Sequence, residues 1–241
     1  MTLFDVLLVA LIRGLGEVLP LGASGPLTAL PALAGTPEGR AALSVATHAG
    51  VLAALALYFW RDVAAMGRGL WQAAKGKPDA GSRLLLHVLA GSLPAGLAAW
   101  WLAEAAARLG GPLVAASLIL LGAVLLLAAD RLGVTVRRVE HMSLGVAFGL
   151  GLTQVLALFP GVSRTGITIT LARLLGWERQ SAARFSLLLA MPLVGGVMVL
   201  DLVGLVRHSA LVLSADLQIA ALVSGLCALL VLVLAASARQ D

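Results

Sequence analysis

Cysteine, tyrosine and charged residues are all scarce in this sequence. Its 241 residues include one cysteine and one tyrosine, and 12% of them are charged. A lone cysteine, Cys227 in an apolar stretch, excludes a disulfide framework and a cysteine metal site, and we expect it to pack as a small hydrophobic side chain. A soluble domain carries about 25% charged residues, so the low charge excludes an ordinary soluble enzyme.

Apolar residues are abundant instead. They make up 60% of the chain, and the mean hydropathy of +1.00 indicates a polytopic helical membrane protein. The formal net charge of +5 would suggest a nucleic-acid partner in a soluble protein. Here the basic residues lie in short segments between apolar runs, where they set membrane orientation, so we expect no nucleic acid to bind. The N-terminus shows no signal-peptide pattern, and we expect it to belong to the mature protein.

Five apolar runs are long enough to cross a bilayer, which needs about 20 residues. They are Ala41–Trp60, Leu84–Ala103, Pro112–Ala129, Phe185–Val206 and Leu211–Ala236. Two further segments, Leu3–Pro31 and Met142–Gly176, are apolar but interrupted by Gly, Pro and a charge, which predicts re-entrant hairpins of broken helices. The predicted fold class is an all-α integral membrane protein, a helical bundle forming one transmembrane domain over residues 1–241.

Basic residues are unevenly distributed if both hairpins enter and leave on one side. Twelve of the 17 Lys and Arg then lie on one face, in the segments 61–83, 130–141 and 173–184 and at the C-terminus. The positive-inside rule makes these three loops cytoplasmic. If Leu3–Pro31 instead crosses once, only the N-terminus changes sides.

The second interrupted segment places an arginine at bilayer depth. A charge there costs about 2.5–3.5 kcal/mol, so such residues usually line a cavity and carry function. Pro160 breaks the helix, and a half-helix beginning near Thr165 would direct free N–H groups to the same place as the Arg164 guanidinium, which suits a phosphate. The candidate phosphate-binding residues here are Gly161, Ser163, Arg164, Thr165, Gly166 and Thr168. The alternative is a proline kink whose arginine only pairs with an acidic residue on a neighbouring helix.

The first interrupted segment adds a second group of polar residues. Arg13 and Glu17 are four residues apart, so they share a helix face and can form an ion pair. Helix-breaking residues follow, with the hydroxyl of Ser24 among them. If the two segments face each other, Arg13 and Arg164 would hold phosphates, and Glu17 would act as base or metal ligand. The alternative is two separate structural pairs.

A weak internal parallel predicts an inverted repeat. Residues 13–25 and 154–166 share a similar order of polar, Pro and Gly positions, and each segment precedes a span with a proline among small residues, Pro94 and Pro192. The first repeat would cover about 1–130 and the second about 140–241. Paired broken helices meeting at the midplane would then form the substrate site. Chance similarity between two Gly- and Pro-rich stretches is the alternative.

Several stretches resemble the undecaprenyl pyrophosphate phosphatase family, the bacitracin-resistance proteins. They are Gly14-Leu-Gly-Glu17-Val-Leu-Pro20, Pro160-Gly-Val-Ser-Arg-Thr-Gly166, the run from His48 to Arg61, and Phe185–Pro192. The resemblance covers nearly the whole chain. It implies a bacterial inner-membrane enzyme that removes one phosphate from the polyprenyl diphosphate carrier of cell-wall synthesis. It also implies two re-entrant hairpins, a divalent cation (Mg or Ca) and a homodimer.

The first motif departs from the family pattern. Arg13 stands where the family has an acidic residue or Gln, Ala23 where it has the proposed nucleophilic serine, and Pro26 where it has the catalytic histidine. Members usually end with one more transmembrane helix, which has no counterpart after Ala236. Two hypotheses follow: a diphosphatase that uses Ser24 or water as nucleophile, or an impaired homologue that binds or translocates a polyprenyl phosphate lipid.

A replacement for the missing histidine is a further candidate. His48 lies among small residues in the outer part of a span, and an imidazole suits general acid–base chemistry. The alternative is that His48 only bonds a neighbouring helix, as polar residues among small ones commonly do.

Overall fold

The chain is an assembly of long and broken helices in a computed structural model that describes residues 2–28, 36–108, 111–133, 135, 142–208 and 214–237. This part of the chain contains ten α-helices and one 3₁₀ helix. The α-helices are α1 Leu3–Val18, α2 Ser24–Thr28, α3 Pro37–Tyr58, α4 Trp60–Ala74, α5 Ala80–Arg108, α6 Pro112–Leu132, α7 Leu144–Thr153, α8 Arg164–Leu174, α9 Arg179–Arg207 and α10 Ala215–Ser237; the 3₁₀ helix is Gln154–Leu158.

Five of these helices are long and apolar enough to cross a membrane, which confirms the predicted class of polytopic α-helical membrane protein. They are α3, α5, α6, α9 and α10. Helix α9 begins at Arg179, earlier than the predicted Phe185, because the helix continues beyond its apolar part into polar residues. Helix α3 begins at Pro37, where the Thr36 side chain accepts a hydrogen bond from the Gly39 N–H at 3.1 Å and so caps the helix.

The sequence predicts a loop over 61–83, and most of this segment is helical instead. Helix α4 covers Trp60–Ala74. Its charged residues keep its hydropathy below that of a membrane span, so hydropathy alone predicts a loop here. Yet Val63, Leu70 and Trp71 are exposed on a helix that also carries Arg61 and Arg68, as in an amphipathic helix at a membrane surface.

Both interrupted segments are broken helices, as predicted. Helix α1 ends at Val18, and the chain passes through an extended Leu19 before the short α2 begins at Ser24. Helix α7 tightens into the 3₁₀ helix, and after Phe159 the chain turns before α8 begins at Arg164, one residue ahead of the predicted start. That these segments are re-entrant within a bilayer stays a prediction.

Helices α3 and α9 pack together, and most of the other elements surround them. Val51, Leu55, Leu150, Phe185 and Leu188 form the centre of the main core, where each is nearly inaccessible to solvent. On the other side of α3, helix α10 comes very close: a Cβ on Gly50 would lie 2.0 Å from the Ala221 carbonyl oxygen. Helix α1 packs against α3 and α10, which places Arg13 beside His48.

Ion pairs join the connecting segments at one end of the bundle. Asp62, at the start of α4, pairs with Arg184 in the first turns of α9. Asp130, at the end of α6, pairs with Arg173 at 3.0 Å and with Arg179 at 3.4 Å. Arg173 falls in the predicted loop 173–184, but it lies in the last turn of α8 and is only 6% exposed. Its guanidinium also donates to the Trp177 carbonyl oxygen at 2.6 Å.

Candidate functional site

The turns of the two interrupted segments lie against each other. Gly22 and Gly161 both have a positive φ, +70° and +99°, which other residues adopt only at a cost. A Cβ on Gly22 would lie 3.0 Å from the Gly161 carbonyl oxygen, and a Cβ on Gly25 would lie 3.0 Å from the Gly161 Cα. The two segments therefore face each other, and glycine allows the contact to form between backbones.

A carboxylate and a guanidinium connect the segments across this contact. Arg164 Nη2 donates to Glu17 Oε2 at 2.5 Å, and the Thr165 hydroxyl donates to the Glu17 carbonyl oxygen at 3.0 Å. Both charged side chains are largely buried, with 17% and 16% of their surface exposed. Arg164 thus pairs with an acidic residue on another helix, as the alternative of a simple proline kink predicts. It also lines a cavity, which that alternative does not require.

Arg13 and His48 form a second pair beside the first. A guanidinium can only donate, so the 2.8 Å contact between Arg13 Nη1 and His48 Nε2 makes that nitrogen the acceptor. The ring proton is then on Nδ1, which donates to the Ser44 hydroxyl at 3.1 Å. Arg13 Nη1 lies 3.9 Å from Glu17 Oε1, so the expected ion pair between them is looser than the pair with Arg164.

A cavity of about 350 Å³ opens between the two segments and the helices α5 and α9. Its polar side chains come from both segments and from α3, and they are Arg13, Glu17, Ser24, His48, Gln154, Arg164 and Thr165. The remaining wall is apolar, with Ala95 and Ala99 from α5 and Leu193 and Val197 from α9. Such a combination can hold a charged headgroup with an apolar chain attached.

Several buried polar atoms of this cavity have no hydrogen-bond partner in the described part of the chain. They are Arg13 Nε, Arg164 Nε, and both Nε2 and Oε1 of Gln154. Buried donors are normally satisfied, and a cluster of unsatisfied ones at a cavity needs an explanation such as a bound ligand or water. Three of these four atoms belong to groups that donate, which favours a ligand rich in acceptor oxygens.

Four predicted phosphate-binding residues have structural contacts near the start of α8: Ser163, Gly166 and Thr168 take part in hydrogen bonds of its first turns, and Gly161 packs against α6. The Ser163 hydroxyl accepts from the Gly166 N–H at 3.1 Å and caps α8. Thr168 is fully buried, and its hydroxyl donates to the Arg164 carbonyl oxygen at 2.9 Å. Gly161 packs against Ala115, where a Cβ would lie 2.3 Å from the carbonyl oxygen. Their contact with phosphate stays a prediction, as do the catalytic roles of Glu17, Ser24, His48 and Arg164.

The donor set does not fit a divalent cation held by the protein alone. Glu17 is the sole carboxylate among the described residues of the cavity wall, and Arg164 engages one of its oxygens. Two guanidinium groups face the same space, and they repel a cation. In the described ranges, no group of three or more His, Cys, Asp or Glu side chains is arranged to hold a metal. Glu17 as a metal ligand is therefore not supported by its surroundings.

Sequence reasoning did not assign a role to Gln154. A glutamine inside the apolar run that begins at Met142 was the available signal, because an uncharged polar side chain at that depth also needs a partner. The contribution of α5 and α9 to the cavity wall had a weaker signal, the prolines at Pro94 and Pro192. Each of these helices has 29 residues and contains its proline near the middle.

Comparison of the sequence with known proteins finds a matching family and several similar relatives. The model of the family "Bacitracin resistance protein BacA" matches residues 6–239. A protein named undecaprenyl-diphosphatase 1 from Paramagnetospirillum magneticum is 63% identical over 95% of this chain and 86% of its own length. One of the same name from Rhodospirillum rubrum is 44% identical over 95% of this chain and 84% of its own. An undecaprenyl-diphosphatase from Nitrosococcus oceani is 40% identical over 95% and 87%. The chain belongs to the bacitracin resistance protein family.

Proposed function

We propose that this chain hydrolyses a polyprenyl diphosphate to the monophosphate and phosphate, and so recycles the lipid carrier of peptidoglycan synthesis. One observation carries the proposal: a cavity bounded by apolar helices holds two guanidinium groups and a carboxylate, with buried N–H donors that have no partner among the residues that the structure describes. Diphosphate supplies the oxygens that those donors need, and the apolar wall suits a prenyl chain. Family membership and the names of the relatives support the same reaction.

The chemistry follows from the positions of the charged groups. Water attacks the terminal phosphorus, the bond from that phosphorus to the bridging oxygen breaks, and the lipid leaves as its monophosphate. Arg13 and Arg164 balance the charge on the phosphoryl oxygens, which is the main contribution a protein makes to phosphoryl transfer. Glu17 Oε2 is held by Arg164, so Oε1 is the oxygen that takes the proton from water. The Ser24 hydroxyl lies in the same wall and is the alternative nucleophile.

A second function is favoured by the substitutions in the first motif. Ala23 and Pro26 have no group that can attack phosphorus or move a proton, and losing a general base typically slows a reaction about 10²–10⁴-fold. Ala23 lies in the cavity wall, so the site lacks the serine hydroxyl that the family has at this position. A chain that binds or translocates a polyprenyl phosphate lipid without cleaving it would need the same cavity.

We also propose that the protein lies in the bacterial inner membrane with 61–83, 130–141 and 173–184 in the cytoplasm and both interrupted segments re-entrant. The ion pairs of Asp62 with Arg184 and of Asp130 with Arg173 support this arrangement, because they bring the three basic segments to one end of the bundle. The homodimer implied by the resemblance stays a prediction.

Phosphate release from a polyprenyl diphosphate by the purified protein tests the reaction. We expect release by the parent protein and a decrease of about 10²–10³-fold in the Arg164→Ala variant, since that variant loses a preorganised charged donor. A parent protein that binds the lipid and releases no phosphate would reject hydrolysis and favour the binding function.

A further inference from the structure

Gln154 is a buried amide that no part of the described chain engages. It is 2% exposed and lines the cavity, and neither its Nε2 nor its Oε1 has a hydrogen-bond partner among the described residues. A side-chain amide can donate two hydrogen bonds and accept two, and the described residues use none of this capacity. Burial without bonds is unfavourable, and such groups are rare in folded proteins.

The local backbone directs this side chain toward the cavity. Gln154 begins the 3₁₀ helix that follows α7. Residues three apart eclipse one another in a 3₁₀ helix, so Gln154 and Ala157 share a face, and both line the cavity. The change of helix type thus places a polar side chain on a wall that an apolar run otherwise provides.

The neighbouring Thr153 shows what a purely structural polar residue does in this segment. Its hydroxyl donates to the Leu150 carbonyl oxygen at 2.7 Å, one turn back on the same helix. Threonine is thereby satisfied without any other partner. The Gln154 amide has no such bond within the described part of the chain.

The charged residues of the cavity do not form hydrogen bonds with the Gln154 amide either. Glu17 is engaged by Arg164, and His48 is engaged by Arg13 and Ser44. Gln154 and the two arginine Nε atoms are left as the unsatisfied groups of the wall. All three side chains can donate toward the same space, which suits one ligand with several acceptor oxygens.

We propose that Gln154 is a headgroup-binding residue: its Nε2 donates to a phosphoryl oxygen of the lipid diphosphate, and its Oε1 accepts from water held at the same phosphate. The proposal rests on the proposed function in one respect, the diphosphate lipid as ligand, and it does not require hydrolysis. Gln154 would thus bind the diphosphate together with the guanidinium groups of Arg13 and Arg164, from the 3₁₀ helix Gln154–Leu158.

The test compares binding and stability in Gln154→Leu. Leucine has a similar volume and no polar atom, so the variant should unfold at the same or a higher temperature, because an unpaired buried amide is removed. Its affinity for a polyprenyl diphosphate should fall at least about tenfold, the value of one hydrogen bond to a charged group. Affinity for the matching polyprenol, which has no phosphate, should not change.

Two further variants keep the test decisive. Gln154→Glu retains the shape but replaces the donor with a negative charge, so it should weaken diphosphate binding more than leucine does. Thr153→Val is the matched control, one residue away, and should leave the affinity for both lipids unchanged.

Equal diphosphate affinity in Gln154→Leu and the parent protein would overturn the proposal. A parallel loss for the diphosphate and the polyprenol would also overturn it, since that result indicates a role in the wall rather than at the headgroup. A parent protein that binds diphosphate and does not hydrolyse it would reject the proposed reaction and leave the binding role of Gln154 in place.

Discussion

At the scale of single residues, Arg13 changes the electrostatics of the site most. It stands where the family resemblance expects an acidic residue or Gln, and it adds a second guanidinium next to one carboxylate. With His48 neutral as an acceptor, the polar wall has two positive charges and one negative charge. Such a wall attracts a diphosphate and repels a free divalent cation.

We therefore predict that this protein binds a polyprenyl diphosphate without a divalent cation. Affinity measured with excess chelator should match affinity measured with Mg²⁺ or Ca²⁺. Arg13→Glu places two carboxylates one helical turn apart, so binding by that variant should depend on the cation, because carboxylate oxygens are ligands that these ions prefer.

Arg13→Gln is the control for this comparison, because it removes the positive charge without adding a ligand of opposite sign. It should bind more weakly than the parent protein and respond little to cation. Loss of binding by the parent protein on chelation would contradict the prediction.

His48 has a geometry suited to positioning Arg13. Its Nε2 accepts from the guanidinium, and its ring is fixed by Ser44. His48→Gln can still accept through its amide oxygen, so we expect diphosphate affinity to be retained, whereas His48→Leu should lower it by about tenfold as the bond to a charged donor is lost. Phosphate release by His48→Gln then separates the two roles: hydrolysis close to that of the parent indicates positioning, and loss of hydrolysis with intact binding indicates a general base.

At the scale of helices, the sequence predicts the breaks much better than the contacts. Gly and Pro act on their own backbone, so the ends of α1 and α7 and the start of α8 can be read locally. The bond from Arg164 to Glu17 joins residues 147 positions apart, and no periodicity specifies it. The ion pair of Asp130 with Arg173 cannot be predicted from the sequence for the same reason, since both residues look like ordinary loop charges.

Helix α4 shows a different limit. Hydropathy detects a span by the absence of charge, and α4 mixes charged residues with exposed apolar ones over 15 residues. The position of Gln154 in an apolar run is visible in the sequence, but the lack of a partner for its amide among the described residues is not, because a missing hydrogen bond is a property of the assembled surroundings.

The contact between the two turns gives a prediction at this scale. Gly161→Ala would put a side chain on a residue with φ of +99°, at a place where a Cβ lies 2.3 Å from the Ala115 carbonyl oxygen. We expect a loss of stability of more than about 1–2 kcal/mol, seen as a lower unfolding temperature in detergent, together with weaker lipid binding. Gly149→Ala is the matched control in the same segment.

A Cβ at Gly149 meets no atom within 4 Å, and the residue lies inside α7. That variant should be as stable as the parent protein or more stable, by about 0.5–1 kcal/mol. Equal stability of the two alanine variants would show that the turn can move away from α6 at little cost.

At the scale of the whole molecule, charge separates the two ends of the bundle. The ion pairs of Asp62 with Arg184 and of Asp130 with Arg173 lie at one end, while α3 begins at the other end with Glu38 exposed. The exposed surface of the spans is apolar, including Leu113, Leu120 and Leu132 on α6, as contact with lipid requires.

The difference in charge between the two ends of the bundle predicts which residues a membrane-impermeant thiol reagent can reach in intact cells. With Cys227 first replaced by Ala, Lys75→Cys should remain unlabelled until the membrane is permeabilised, because positive segments stay in the cytoplasm. Glu38→Cys, at the opposite end of α3, should be labelled from outside. Labelling of Lys75→Cys in intact cells would reverse the orientation.

The distance along the chain between Glu17 and Arg164 also determines when the site can exist during synthesis. The ribosome delivers Glu17 to the membrane long before Arg164 has been translated, and a lone carboxylate is costly there. Arg13, four residues earlier, and His48, on the next long helix, are the polar companions present in that interval. Arg13 is therefore close enough along α1 to balance the Glu17 carboxylate before α8 is made, and once α8 is in place the carboxylate lies nearer to Arg164, at 2.5 Å, than to Arg13, at 3.9 Å.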